Sequence, residues 1–264
     1  MMLGLSALED WHIEALDIKT AFLYGKLDKE IYMEQPEGFR LKGLDTNKVL
    51  CLQDALYGLK QSALTWWQEL KSSMKRIGFR CTVSDAGVFF AHIRKDLIMI
   101  IVYVDDALFF GKNQRAVKKV KKIFMDIWEC HDLGEAKEFL HMRIKCEGCK
   151  IYLDQTVYLT KVIEHFGMSN ARVTTTPLPA GYNPMESKST CSNKFQTEYQ
   201  SIISSLLYIM LGTHPDICYA VTKLVQFSIN PSKEHMDKAK YIICYLLSTS
   251  NYSLVFDVKP DKKA

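Results

Sequence analysis

Residues 98–110 of the chain read IMIIVYVDDALFF. Two adjacent carboxylates, Asp105 and Asp106, separate two apolar stretches that are rich in β-branched and aromatic residues. A strand that stops at an acidic pair and resumes directly after it is typical of a β-hairpin with that pair at its tip. Neighbouring carboxylates repel each other and resist burial, so a divalent metal ion is a natural partner for them. A solvated turn without a metal is the alternative interpretation.

Asp17 is the candidate for a third carboxylate, because it follows a strand-like stretch at residues 11–16. If that strand lies beside the hairpin, all three acids reach one edge of a sheet. Three carboxylates at one edge are the ligand set that a two-metal site for nucleotidyl transfer needs. Taken alone, Asp17 is equally consistent with a helix N-cap ahead of residues 19–22.

Size and composition are those of a folded globular protein. The chain has 264 residues, of which 48% are hydrophobic and 24% charged, enough for one large domain or two modest ones. The longest apolar run, residues 97–104, is too short to span a bilayer, and the N-terminus shows no basic leader. We therefore expect no membrane partner and an intracellular location, in the cytoplasm, the nucleus or both. The net charge of +4 permits a polyanionic partner.

Eight scattered cysteines are expected to be reduced thiols, since no secretion signal is seen. Cys146 and Cys149 could form part of a zinc site with Cys130 and His131. A hairpin turn at Glu147-Gly148 is the simpler interpretation, because a structural zinc ion normally needs two well-spaced ligand pairs.

Periodicity along the chain predicts an α+β part followed by an all-α part. Strands are predicted at residues 11–16, 31–33, 88–93, 97–104, 139–145 and 150–153. Helices are predicted at 62–76, 113–128, 156–166, 199–211, 215–229 and 233–247. The segment 169–193 is rich in Thr, Pro, Ser and Asn and is the best candidate for a linker. The cationic face of helix 113–128 is either a solvated surface or a patch that follows a nucleic-acid backbone.

Several ordered motifs resemble those of the Ty1/copia class of retrotransposon reverse transcriptases. Residues 16–25 (LDIKTAFLYG) and 31–39 (IYMEQPEGF) resemble the first catalytic motif of that class. The later matches are residues 56–62 (LYGLKQS) with Trp66, residues 103–106 (YVDD), residues 132–140 (DLGEAKEFL), and the helical segments around 205–208 and 215–220.

The resemblance implies a metal site and a substrate site. Asp17, Asp105 and Asp106, with the backbone carbonyl of Ile18, would hold two Mg²⁺ or Mn²⁺ ions. The implied partners are an RNA/DNA primer–template and a deoxynucleoside triphosphate. Phe22 would exclude a 2′-hydroxyl, unless it is simply a core aromatic.

Further positions are implied near the substrates. Lys60, Gln61 and Tyr103 would lie near the nucleotide or the template, with the contact of Lys60 and Gln61 left open. Phe139 and Leu140 would help to hold the primer end.

The implied architecture is a reverse-transcriptase palm, an antiparallel or mixed sheet backed by helices, followed by a mainly helical thumb and connection part. The expected division is a palm at residues 1–155 without a fingers segment. Residues 156–264 would then comprise a thumb-like helix, a linker and connection helices, without a ribonuclease H domain.

Two departures from the pattern of the class keep a second function open. Leu64 stands where the class usually has arginine, and His141 stands where it has glycine. The chain is therefore either an RNA-directed DNA polymerase or an incompetent remnant of a mobile element that at most binds nucleic acid. An unrelated metal phosphatase or nuclease is the remaining alternative.

Overall fold

The computed structural model describes residues 1–40, 48–187 and 189–257. The chain divides into two compact units, the first formed mainly by residues 4–136 and the second by residues from Lys137 onward. Across the described ranges, seven α-helices and twelve antiparallel strands make this a mixed α+β protein, as predicted.

The helices are α1 (Met2–Glu9), α2 (Ser62–Arg76), α3 (Gln114–Met125), α4 (Thr156–His165), α5 (Asn193–Gly212), α6 (Cys218–Val225) and α7 (Lys233–Ser248). The strands are β1 (His12–Ile18), β2 (Tyr32–Met33), β3 (Leu50–Cys51), β4 (Arg80–Cys81), β5 (Val88–Ile93), β6 (Asp96–Tyr103), β7 (Asp106–Gly111), β8 (Cys130–Glu135), β9 (Glu138–Phe139), β10 (Met142–Glu147), β11 (Lys150–Asp154) and β12 (Leu254–Phe256). Short 3-10 helices occupy Ala21–Tyr24 and Pro215–Ile217.

The first unit is built on a six-stranded sheet with the order β4-β5-β6-β7-β1-β8. Helices α2 and α3 pack against one face of it, because their apolar residues recur every three or four positions. The shared core includes Leu16, Ile18, Leu70, Met74, Ala107, Phe109, Val117, Val120 and Phe124. Successive strand residues point to opposite faces of a sheet. Asp17 and Asp106 therefore lie on the face opposite to α2 and α3.

The second unit combines a four-stranded sheet, with the order β12-β11-β10-β9, and helices α4 to α7. Its helical core includes Leu159, Ile202, Leu206, Val221, Ile242 and Ile243. Helix α7 begins with a capping box, in which the hydroxyl of Ser232 and the imidazole of His235 each accept a hydrogen bond from the other residue's backbone amide.

The Thr/Pro/Ser/Asn-rich segment belongs to this second unit. Its described residues from 169 to 192 form no helix or strand, but Leu178 and Tyr182 pack against the helical core. The segment is therefore a packed irregular stretch rather than a free linker.

The compact units divide between Ala136 and Lys137, not near residue 155. The reason is strand pairing, because β10 and β11 join β12 in one sheet. The functional division into a palm and a thumb-like part stays a prediction.

Two hairpins follow one another at the start of the second unit. Phe139 pairs with Met142 across a turn at Leu140 and His141, so the predicted strand 139–145 is interrupted. Glu147 pairs with Lys150, which confirms the predicted turn between Cys146 and Cys149.

Within residues 1–40, 48–187 and 189–257, no helix has both the length and the apolar character needed to cross a bilayer.

Candidate active site

Asp17 and Asp106 are direct cross-strand partners in the β1–β7 pair. The amide of Ile18 donates a hydrogen bond of 2.7 Å to the carbonyl of Asp105. Directly opposed residues in an antiparallel pair have Cβ atoms about 4.5–5.5 Å apart and on the same face. The backbone therefore brings the three predicted acidic residues to neighbouring positions, and Asp17 is a strand residue rather than a helix N-cap.

The acidic pair lies at the tip of a tight hairpin, as predicted. Tyr103 pairs with Asp106, which leaves Val104 and Asp105 as the two-residue turn. Val104 has a φ of 57°, the sign that the first central position of a type II′ turn requires and that glycine normally supplies. For a β-branched residue this conformation is strained, at a cost on the order of 1–3 kcal/mol.

Thr20, three positions after Asp17, is strained in the same way, with a φ of 49° and a ψ of 48°. Non-glycine residues with positive φ in the described ranges are Asp10, Thr20, Arg94, Val104, Leu140 and His141. Thr20 and Val104 are the β-branched members of that set, and they flank the acidic residues on β1 and β7. Such strain persists only where surrounding contacts impose it, and it clusters at functional sites.

A buried tryptophan fixes the acidic turn. The indole N–H of Trp66 on α2 donates a 2.9 Å hydrogen bond to the carbonyl of Val104. The Trp66 ring also contacts the Trp128 ring edge-on, with centroids 5.7 Å apart. The next residue, Trp67, makes a similar 3.0 Å bond to the carbonyl of Ala86, at another turn. Helix α2 thus connects the motif around Trp66 to the hairpin tip.

An aromatic pair lies beside the carboxylates. The ring of Phe22 packs on the ring of Tyr57, with centroids 4.6 Å apart. Tyr57 is half-exposed. Partial burial, and then the nearby Asp105 carboxylate, raise the pKa of the Tyr57 hydroxyl. Sequence reasoning missed Tyr57 as a site residue, although it lies in the quoted motif at 56–62.

The remaining residues that were predicted to contact substrates lie at the end of β6, just before α2, and around the end of β9. Tyr103 ends β6 opposite Asp106 and is largely exposed. Gln61 is the residue just before α2, and Lys60 is exposed next to it. In the described part of the chain, neither side chain forms an ion pair or hydrogen bond with Asp17 or Asp105. Phe139 and Leu140 belong to the second unit, at the end of β9 and in the turn that follows.

His131 on β8 is the second partner of Asp17, on the side away from Asp106. One cross-strand row therefore runs Asp106–Asp17–His131.

The adjacent Cys130 packs against the core of the first unit. Its burial, and then the charges of Asp17 and Glu129, raise the pKa of the thiol to about 11. Cys130 is thus a protonated thiol at neutral pH.

The donor set suits a hard divalent cation by its chemistry, because carboxylate and carbonyl oxygens are the ligands that Mg²⁺ prefers. The three acidic residues converge in their backbone positions. Among the residues described, however, no group of three or more His, Cys, Asp or Glu side chains is arranged to hold a metal ion.

Comparison with known protein families shows to which family the chain belongs. The sequence profile of the family "Reverse transcriptase (RNA-dependent DNA polymerase)" matches residues 1–180. The chain belongs to this family. The resemblance to the Ty1/copia class is also confirmed, because its curated relatives are Pol polyproteins of that class.

Three relatives of this reverse transcriptase domain illustrate the match. It is 39% identical, over 97% of its length, to the retrovirus-related Pol polyprotein from transposon TNT 1-94 of Nicotiana tabacum. It is 34% identical over 96% of its length to the corresponding polyprotein from transposon RE1 of Arabidopsis thaliana. It spans 20% and 17% of those two proteins. Its 31% identity to the putative transposon Ty5-1 protein of Saccharomyces cerevisiae covers 91% of this chain and 78% of that protein.

Proposed function

We propose that the chain is the RNA-directed DNA polymerase module of a Ty1/copia-like element. It would transfer a nucleotide from a deoxynucleoside triphosphate to the 3′-hydroxyl of a primer on an RNA template. The observation that carries this proposal is the β1–β7 register, which pairs Asp17 with Asp106 beside the Asp105 turn. Asp17 and Asp106, 89 positions apart in the sequence (106 − 17), are adjacent only because the sheet folds in this way.

In this proposal, Asp17, Asp105 and Asp106 would hold two Mg²⁺ or Mn²⁺ ions, with the carbonyl of Ile18 as a further ligand. When bound, such ions would supply the activation of an attacking 3′-oxygen and the stabilisation of a leaving pyrophosphate. The residues of the chain supply fixed positions: the pairing of β1 with β7 sets the spacing of the acids, and the Trp66 bond holds the turn that presents Asp105.

The aromatic pair has a separate role in the proposal. Phe22 would face the sugar and exclude a 2′-hydroxyl, and Tyr57 would support its ring from the other side. Lys60, Gln61 and Tyr103 are assigned to the nucleotide and the template, and Phe139 and Leu140 to the primer. Residues 1–155 would act as the palm, and the later helical residues as the thumb-like and connection part.

Primer extension tests the proposal directly. Purified protein is incubated with a DNA primer on an RNA template, with all four deoxynucleotides and either Mg²⁺ or Mn²⁺. We expect extension by the parent protein and a loss by a factor on the order of 10² or more in Asp105→Asn, as for other groups that stabilise transition-state charge. Asp237→Asn, an exposed carboxylate on α7, is the control and should extend like the parent. No extension by folded parent protein would refute the activity.

One observation favours the second candidate, a nucleic-acid binder without turnover. His141 carries a φ of 59°, strain at the hairpin that is assigned to the primer. Salt-sensitive binding of a primer–template, with no incorporation under any metal condition, would establish this alternative.

A further inference from the structure

Helix α3 has one face made of cations. Its sequence, QRAVKKVKKIFM, contains no acidic residue. With about 3.6 residues per turn, Arg115, Lys118, Lys119 and Lys122 fall on one side, opposite the buried Val117, Val120 and Phe124. All four cations are exposed. We call these four residues the α3 basic face; it extends for about 10 Å along the helix.

The charge of this face is mostly uncompensated. The fifth cation of the helix, Lys121, is buried and paired with Glu14 at 2.8 Å and with Asp132 at 2.5 Å. Lys118 lies 3.9 Å from Glu14. In the parts of the chain that the structure describes, Arg115, Lys119 and Lys122 form no ion pair. Three like charges that form no ion pair with the described residues favour an anionic partner.

The α3 basic face is a different surface from the candidate active site. Val117 and Phe124 of α3 share a core with Leu16 and Phe109, on one face of the sheet. Asp17 and Asp106 alternate with such residues and lie on the opposite face. The basic face lies on the helix side of the sheet, so a ligand bound there does not occupy the site of the carboxylates.

We propose that the α3 basic face binds the phosphate backbone of RNA, as a contact for template outside the active site. This inference rests on the proposed function, which makes RNA the polyanion that the protein handles. Cations at i, i+3, i+4 and i+7 suit a row of phosphates, which bind through charge without base recognition. A membrane surface is disfavoured, because an interfacial helix needs a large apolar face beside its cations. The most exposed large apolar side chain of α3, Ile123, is only 37% exposed.

The test is a salt titration of RNA binding. The probe is a fluorescently labelled 30-nucleotide oligouridylate, without primer or nucleotides and with EDTA present, so that metal-dependent binding does not contribute. Lys119→Gln/Lys122→Gln is compared with Lys71→Gln/Lys75→Gln, which removes the same charge from two exposed positions on α2. Each phosphate contact adds about 0.7 to the slope of log Kd against log salt for a single strand. We expect the slope to fall by about 1.4 in the α3 variant and to stay at the parent value in the α2 variant.

Three results would overturn the proposal: an unchanged slope in the α3 variant, an equal fall in the α2 variant, or an α3 variant that loses binding to phosphatidylserine vesicles but not to RNA. All four substituted lysines are exposed, and thermal melting checks that both variants are folded. Primer extension is measured separately. If the slope changes in the α3 variant but the parent protein extends no primer, the polymerase proposal is rejected and the RNA contact is kept. If the parent protein extends primers but the slope does not change, the RNA contact is rejected and the polymerase proposal is kept.

Discussion

Single residues in left-handed backbone conformations set the two hairpin turns at the start of the second unit. His141 holds a φ of 59° in the turn between β9 and β10, next to Leu140 at 50°. Gly148 holds the same φ of 59° in the turn between β10 and β11. A side chain in this region costs about 1–2 kcal/mol per residue relative to the right-handed form, whereas glycine adopts it freely.

His141→Gly should therefore raise the free energy of unfolding by about 1 kcal/mol, because relief of strain exceeds the entropy that glycine adds to the unfolded chain. Gly148→Ala should lower it by about 1 kcal/mol. A new Cβ at position 148 meets no atom within 4 Å, so the effect there comes from the backbone alone. Urea unfolding measures both variants. Changes of the same sign in the two would show that turn strain is not the cause.

Trp66 and Trp67 provide a matched pair of indole donors. Each bonds a turn carbonyl, at 2.9 Å and 3.0 Å, but only Trp66 bonds the acidic turn. Phenylalanine at either position removes the donor, and loss of the hydrogen bond alone should cost about 1 kcal/mol of stability. At the buried Trp66 the smaller ring also leaves a cavity, which adds to the cost. Trp66→Phe should also slow primer extension, and Trp67→Phe should leave it unchanged. Equal extension rates for the two variants would contradict a positioning role for Trp66.

At the scale of elements, α3 is tied to the sheet by a buried ion cluster. Lys121 is 3% exposed and joins Glu14 of β1 to Asp132 of β8. The β1–β8 register shifts between Ala15 and Leu16, which is the mark of a β-bulge. The cluster lies beside this bulge and helps to fix β8 against β1.

Lys121→Met should lower the free energy of unfolding by about 3–5 kcal/mol, because it leaves the buried carboxylate of Glu14 without its main partner. Lys118, 3.9 Å from Glu14, should keep the loss near the lower end of that range. Lys119→Met, on the exposed side of the same helix, should change stability by no more than about 0.5 kcal/mol. Similar losses in both variants, measured by chemical denaturation, would rule out the cluster as the cause.

Sequence patterns were sufficient for elements with strong periodicity. The predicted bounds of α2 and β5 match the structure, because the apolar residues of α2 recur at helical spacing and β5 is a short apolar run rich in residues that favour strands. Strand β8 was missed, because CHDLGE is polar, contains a glycine and is bulged. The pairing of Asp17 with Asp106 could only be hypothesised, because register between distant strands follows from the whole sheet. His131 was missed as a neighbour of Asp17 for the same reason.

At the scale of the whole molecule, lowering the pH should destabilise both compact units. Burial lowers the pKa of His214 and His235. For Asp132 and Asp154, burial acts to raise the pKa, but hydrogen bonds outweigh it and the pKa is lowered. The donors include Lys121 and the Gly134 amide for Asp132, and Thr156 and Arg143 for Asp154. A lowered folded-state pKa means stability that is present above the unfolded-state value and lost as the pH falls through the folded-state value.

The melting temperature should therefore begin to fall below about pH 6.5, where unfolded histidines gain protons, and fall further below about pH 4, where unfolded aspartates do. Asp154→Asn should flatten the second part of this profile, because Asp154 is almost fully buried. Asp237→Asn controls for the removal of one carboxylate. A melting temperature constant from pH 7 to pH 3 would contradict the linkage.

The hydrogen bond from the Ile18 amide to the Asp105 carbonyl, 2.7 Å long, is a single link between β1 and the hairpin tip. An amide exchanges its proton with solvent only when such a link opens. Deuterium uptake at the Ile18 amide should thus report how often the hairpin tip detaches from its neighbour in the resting protein. A slip of one residue between β1 and β7 would turn Asp106 toward the helices, and the same amide would record it without any need for turnover.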